Sequence, residues 1–223
     1  MKTLRIIGLV FSLLTAGFSA SAQKPISEGT IVYDMEIQVG STLPQKGDAL
    51  DGASTTVYLK GSSSRTEMVS ALGNETVIHD AKTGKAAILK SFSGQKLMIT
   101  LTKEDWMVKN KANSDIKFDL ENETRTIAGF TCKKAVAKLA DGRNFVVFYA
   151  PDLVPANREY DPTFTNLPGL AVEYVIETPK MKFKYTLSKI SFDPVLVSRF
   201  DFPKSGYRVM TYEENQQLKK GNQ

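Results

Sequence analysis

Apolar and polar side chains alternate along much of the chain. From Thr30 onward, Ile31, Tyr33, Met35, Ile37 and Val39 fall on one side and Asp34, Glu36 and Gln38 on the other. Successive strand side chains point to opposite faces, so this segment reads as a strand with one buried face. Short strands are expected at 55–60, 64–69, 74–79 and 85–91, separated by the turn-forming runs Gly61-Ser62-Ser63, Ala71-Leu72-Gly73 and Lys82-Thr83-Gly84. Residues 95–102 alternate again, with Leu97, Ile99 and Leu101 on one face. Ser41 to Ser54, holding Pro44, Gly47 and Gly52, reads as a loop.

A second strand-rich block starts near Thr126, with strands expected at 129–138, 143–149, 170–178, 181–190 and 195–202. Ala140-Asp141-Gly142 supplies a tight hairpin turn between the first two. Leu170, Val172, Tyr174 and Ile176 share one face. Met181, Phe183, Tyr185 and Leu187 alternate with Lys182, Lys184 and Thr186, and the lysines read as a solvated sheet face.

Two helices interrupt the strands. Lys103 to Lys111 is the best internal candidate: the Thr102 hydroxyl can cap its free amides, and Glu104 and Asp105 sit at the positive end of its dipole. Trp106, the only tryptophan, can anchor it in the core. Thr211-Tyr212-Glu213-Glu214 has capping-box spacing and opens a short helix ending at Lys219-Lys220-Gly221. Most connections are too short for crossovers, so the sheet is expected to be antiparallel. Pro151 to Pro168 is the exception, a long aperiodic segment with prolines at 151, 155, 162 and 168. Such loops are uncommon inside a domain and often functional.

The N-terminus reads as an export signal. Lys2 and Arg5 precede a mostly apolar run from Ile6 to Phe18, and Ala20-Ser21-Ala22 stands before Gln23 as a small-x-small cleavage site. The run is shorter than the roughly 20 residues a membrane span needs, so no transmembrane segment is expected after cleavage. The one cysteine, Cys132, is far from the cleavage site, so no lipid anchor is expected there. The division expected is a signal peptide over 1–22 and one β-rich domain over 23–223, in the periplasm or secreted. Without Lys2 and Arg5 the net charge falls from +5 to +3, too mild to argue for nucleic acid.

Composition narrows the chemistry. One Cys rules out an internal disulfide framework, and one His leaves little for a metal cage or a catalytic triad. His79 ends a strand-like run without a nucleophile elbow nearby and reads as an exposed or satisfied sheet histidine. Cys132 precedes Lys133 and Lys134, which could activate it, yet it reads as a buried strand thiol. The carboxylate pairs Glu104-Asp105 and Glu213-Glu214 belong to helix starts. Neither a metal, a cofactor nor enzymatic activity is expected.

Asn166-Leu167-Pro168-Gly169-Leu170-Ala171-Val172-Glu173 resembles the GLPGLI family of exported bacterial proteins. So do Ile127-Ala128-Gly129-Phe130-Thr131-Cys132-Lys133-Lys134-Ala135 and the Phe148-Tyr149-Ala150-Pro151 stretch. Asn166 and Ala171 depart from the eponymous motif, which suggests a neighbouring branch. Those families look similar to the lipoprotein carriers LolA and LolB. The resemblance implies a Gram-negative envelope location and a mainly β fold: a single curved antiparallel sheet, a half-open barrel with one or two short helices over its open side. In the motif itself, Pro168 fixes φ and Gly169 permits a φ > 0 turn, so Leu167-Pro168-Gly169-Leu170 can swing the long loop into the next strand.

A curved sheet with few helices to cover it suggests an uncovered apolar lining. The expected function is a non-enzymatic periplasmic binding or carrier module for a lipid-like or other apolar ligand. Tyr33, Met35, Trp106, Leu167, Leu170, Val172 and Phe183 are the expected ligand-binding residues, with Pro168 and Gly169 forming the motif turn. A different class of function is an envelope interaction protein that docks a partner protein through an edge strand or the 151–168 loop. A small outer-membrane barrel ranks third, because the lysine stripe opposes the apolar face and the chain ends in a polar helix.

Overall fold

The computed structural model describes residues 23–38, 52–140, 142–177 and 182–221. The signal peptide expected over 1–22, residues 41–51 of the expected loop, Asp141 and Met181 lie outside them.

Each alternating segment forms a strand close to its expected bounds. After β1 (Lys24–Ile26), a meander runs through β2 (Glu28–Gln38), β3 (Ser54–Lys60), β4 (Ser63–Ser70), β5 (Gly73–Asp80), β6 (Ala86–Phe92) and β7 (Gln95–Leu101). Helix α1 (Lys103–Ser114) follows, its first turn closed by a capping box in which Thr102 and Asp105 each accept from the other's backbone amide. Next come β8 (Asp119–Ile127), β9 (Phe130–Lys138), β10 (Asn144–Ala150), the short β11 (Leu153–Pro155), and 3-10 turns at Arg158–Tyr160 and Pro162–Phe164. The chain ends with β12 (Leu170–Glu177), β13 (Lys182–Ser191), a 3-10 turn at Val197–Phe200, β14 (Arg208–Thr211) and α2 (Tyr212–Gly221). Thr211 and Glu214 exchange the two bonds of the second expected capping box.

The main sheet runs β14-β7-β6-β5-β4-β3-β2-β13-β12-β10-β9-β8 and is not closed. β13 pairs with β2 and joins the two halves. The order is antiparallel throughout except for β14, which lies parallel to β7. β1 pairs in parallel with β11 as a separate two-stranded sheet.

Chain length forces this sheet to curl. Nine strands separate β7 from β8 in the order, and at about 4.8 Å per strand a flat sheet would set them ~48 Å apart. The link between them is α1 and a few extended residues. At ~1.5 Å per helical and ~3.5 Å per extended residue it reaches about 40 Å at most. The two edges therefore bend toward each other, and α1 crosses the open side. Register shifts at Phe148/Tyr149, Leu187/Lys189 and Leu120/Thr124 mark bulges that bend and twist the strands.

The concave side is packed. Ile31, Tyr33, Val57, Leu59, Val147, Tyr174 and Leu187 from the sheet form one core with Tyr160, Phe164 and Leu167 from the 151–168 segment. A second core gathers Ala86, Ile88, Ile99 and Leu101 under Trp106, and a third packs Ile78, Ala87, Leu89 and Met98 beneath Phe200, Phe202 and Tyr207.

Three features of the fold depart from the sequence reading. The strand expected over 195–202 is an irregular strap with one 3-10 turn. Pro194 and Pro203 bracket it, and proline brings no amide to a ladder. β8 went unread before Thr126 because Asp119, Glu121, Glu123 and Arg125 give it no apolar face; charge is how an edge strand is protected from stray pairing. Gly169 does not have a positive φ. It is required for room instead: a Cβ there would lie 2.2 Å from the carbonyl oxygen of Ala150.

Candidate binding clefts

The 151–168 segment is fixed at several points. β11 pairs with β1, the Asn157 amide donates to the carbonyl of Ser62 at 2.9 Å, and the Asn166 amide donates to those of Ser114 and Ile116 at 2.9 and 2.8 Å. Asn157 and Asp161 accept from the amides of Glu159 and Thr163, closing the two 3-10 turns. So held, the segment drives Tyr160 and Phe164 into the concave face. Phe164 meets Tyr174 edge-on at 4.8 Å, and Tyr174 stacks on Tyr185 at 4.8 Å. The Tyr33 hydroxyl donates to the Ala171 carbonyl at 2.8 Å. Burial raises the pKa values of Tyr33, Tyr160 and Tyr174, and also that of the Asp161 carboxyl.

Tyr33, Leu167, Leu170 and Val172 come together in this packed core. Met35 is buried beside it, across from Tyr185. Phe183 is half-buried and faces Ile37 on β2. Trp106 belongs to the second core. Leu170 and Val172 are fully buried, so Leu167-Pro168-Gly169-Leu170 joins a plug to a central strand. Of the expected ligand-binding residues, Trp106 alone lines one of the two clefts described next.

The first cleft is at the rim, between the end of α1, the β9–β10 hairpin and the end of β12. It encloses about 270 Å³, and Ile116, Leu139, Phe145, Val175 and Ile176 give it apolar walls. Arg143 lies at its edge, its guanidinium donating to the Glu177 carbonyl. The cleft shares Asn113, Ile116 and Leu139 with a wider hollow of about 750 Å³ lined also by Lys117, Lys138, Asp115 and Asp119. Alternation could not pick out this site, because it forms where strand ends meet a helix end. The readable trace is Ile176, still 42% exposed at the end of a buried strand.

The second cleft, about 330 Å³, lies between α1 and the 3-10 turns, with His79, Lys103, Trp106, Asn110, Glu159 and Pro162 among its walls. His79 is neither exposed nor satisfied, contrary to expectation. It is 2% exposed, and neither ring nitrogen has a hydrogen-bond partner. Strand β5 faces it inward, and α1 then covers it by stacking Trp106 flat on the imidazole, ring centroids 4.1 Å apart. Burial holds the imidazole pKa below its usual value.

Cys132 is fully buried, and burial pushes its thiol up to about 11, opposite to an activated cysteine. Lys182 and Lys184 pair with Glu177 and Glu173, which makes the lysine stripe a neutralised sheet face.

No family model matches the chain, and no curated protein matches it by sequence; neither comparison supports the GLPGLI resemblance. Among solved structures it is similar to PNGF-II in space groups P21 and C2. The TM-scores are 0.53 and 0.51 at 13% identity, covering 86% and 85% of this chain and 33% and 32% of that one. The chain thus spans about a third of PNGF-II, and the likeness is one of fold. A looser match is MucB, with a TM-score of 0.42 at 9% identity over 80% of this chain and 58% of that one. No helix among the described residues is long and apolar enough to cross a membrane.

Proposed function

We propose that this protein is a non-enzymatic binding module of the cell envelope that takes an apolar, lipid-like group into its rim cleft. The observation that carries this is an open, apolar-walled hollow of about 270 Å³ beside a concave face already filled by Tyr160, Phe164 and Leu167. Ligand pockets usually run from about 300 to 1,000 Å³. The rim cleft alone fits the end of an acyl chain or one large apolar side chain, and the adjoining hollow of about 750 Å³ can take the rest of a larger ligand. The envelope location rests on the export pattern before Gln23. The rival, docking a partner protein by an edge strand or the 151–168 loop, has less support: β8 is charged and bulged, and the loop is pinned by its own hydrogen bonds.

Titrating a fluorescent fatty-acid analogue into the folded protein tests the reading. Saturable binding is expected, weakened tenfold or more by Ile176→Asp, an exposed change that leaves the fold intact. An absence of binding with circular dichroism unchanged would overturn it in favour of the docking function.

A further inference from the structure

The environment of His79 has a consequence independent of the rim cleft. The imidazole faces uncharged neighbours on both flanking strands, Ser64 on β4 and Ala86 on β6. Its own strand contributes Asp80, α1 contributes Trp106 and the Lys103 of the adjoining cleft, and the 3-10 turn contributes Glu159. Glu159 Oε2 lies 3.9 Å from Nε2, on a side chain that is 54% exposed. Solvent does not reach either ring nitrogen, so no molecule placed in the cleft touches them unless something moves.

We propose that His79 is an acid-operated release for the strap at residues 157–165 and the α1 helix that cover it. Two effects compete when the imidazole gains a proton. Attraction to Glu159 and to the indole face favours the closed state. But a mostly exposed carboxylate beyond hydrogen-bond distance contributes about 0–1 kcal/mol, and a cation over an aromatic ring about 0.5–2. Against them stands the burial of a full charge with Nδ1 unpartnered, a cost of several kcal/mol. Opening wins, because lifting the strap or α1 lets water reach the ring while the ten antiparallel pairings of the main sheet are left whole. The sign agrees with the pKa direction. A histidine held below its unfolded value stabilises the closed state fully above that value, and the stabilisation is lost as pH falls through it.

The chain supplies its own reporter, since it has one Trp and one His and they are stacked. Trp106 emission and far-ultraviolet circular dichroism are followed together from pH 7.5 to 4.5. The expected result is a reversible red shift and quenching, with a midpoint below the ordinary imidazole range and the β-sheet signal unchanged. Glu159→Gln should move the midpoint higher, because it removes a carboxylate whose attraction to the protonated ring favours the closed state. His79→Phe, which keeps a ring against Trp106, should abolish the transition. Amide hydrogen exchange on the unaltered protein gives a reading that does not depend on a variant folding: residues 103–114 and 157–165 should lose protection at pH 5 while β2 and β12 keep theirs. Flat emission and flat protection would overturn the proposal. So would a transition that persists in His79→Phe or one that coincides with loss of the sheet signal.

Discussion

Gly169→Ala should destabilise the protein, because of crowding and not because of backbone angle. An added Cβ would sit 2.2 Å from the Ala150 carbonyl oxygen, 2.8 Å from its carbon and 3.0 Å from Pro151 Cα. These are backbone atoms, and they cannot swing away as the tip of a side chain would. Ala150 pairs with Leu170 at the end of the β10–β12 ladder, and both are buried. Relief therefore requires moving the end of that ladder. Overpacking of this kind costs about 1–3 kcal/mol, offset by about 0.4–1 kcal/mol from the stiffer unfolded chain. With roughly 2–4 °C per kcal/mol for a domain of this size, Tm should fall by several degrees in a thermal scan. Gly169→Asn separates the two explanations. If room decides, the larger Asn is worse than Ala. If a left-handed backbone decided, Asn would be the better tolerated of the two. An Asn variant more stable than the Ala variant, or an Ala variant as stable as the parent, would refute the reasoning.

Two further predictions concern local energetics. Cys132 should label with a thiol reagent only as fast as the protein unfolds. With its folded pKa pushed to about 11, the stability it contributes is complete at pH 8 and lost as pH rises from about 9 toward 11, so urea midpoints at pH 8 and 10 should diverge less in Cys132→Ala than in the parent. Thr102→Ala removes the hydroxyl that accepts from the Asp105 amide at 3.1 Å and should cost about 1 kcal/mol in urea unfolding, less if Asp105 still closes the first turn from its own side.

Much of this fold was legible because it is a meander. Ile31, Tyr33, Met35 and Ile37, or Phe183, Tyr185 and Leu187, carry a strand and its buried face in their own spacing, and short turns leave antiparallel pairing as the consequence. Thr102 and Thr211 announced their helices by the same local logic. What escaped depended on partners distant in sequence. β14 exists because β7 offers it an edge. β8 is a strand by pairing with β9 and not by any apolar face. The candidate site failed for a related reason. Alternation says that Tyr33, Leu170 and Val172 face inward, but not what they meet there. Tyr160, Phe164 and Leu167 were the available signal, large apolar residues in a proline-rich stretch that a solvent-exposed loop does not call for.

That segment, and not the sheet, sets how much this half-barrel can hold. The short link from β7 to β8 forces the sheet to curl, and curling creates a concave face that must be filled. Helix α1 fills little of it, since Trp106 and Asn110 are its only buried residues. The floor is covered by Tyr160, Phe164 and Leu167 on a strap fastened at Asn157 and Asn166. A ligand larger than the rim hollows can therefore enter only if the strap moves, and His79 lies beneath the part of α1 and the turns that would have to lift. Rim binding and acid release consequently separate in one titration. A fatty-acid probe that binds at pH 7.5 without altering Trp106 emission occupies the rim. Added capacity that appears only below the emission midpoint, and disappears in His79→Phe, belongs to the space the strap had filled.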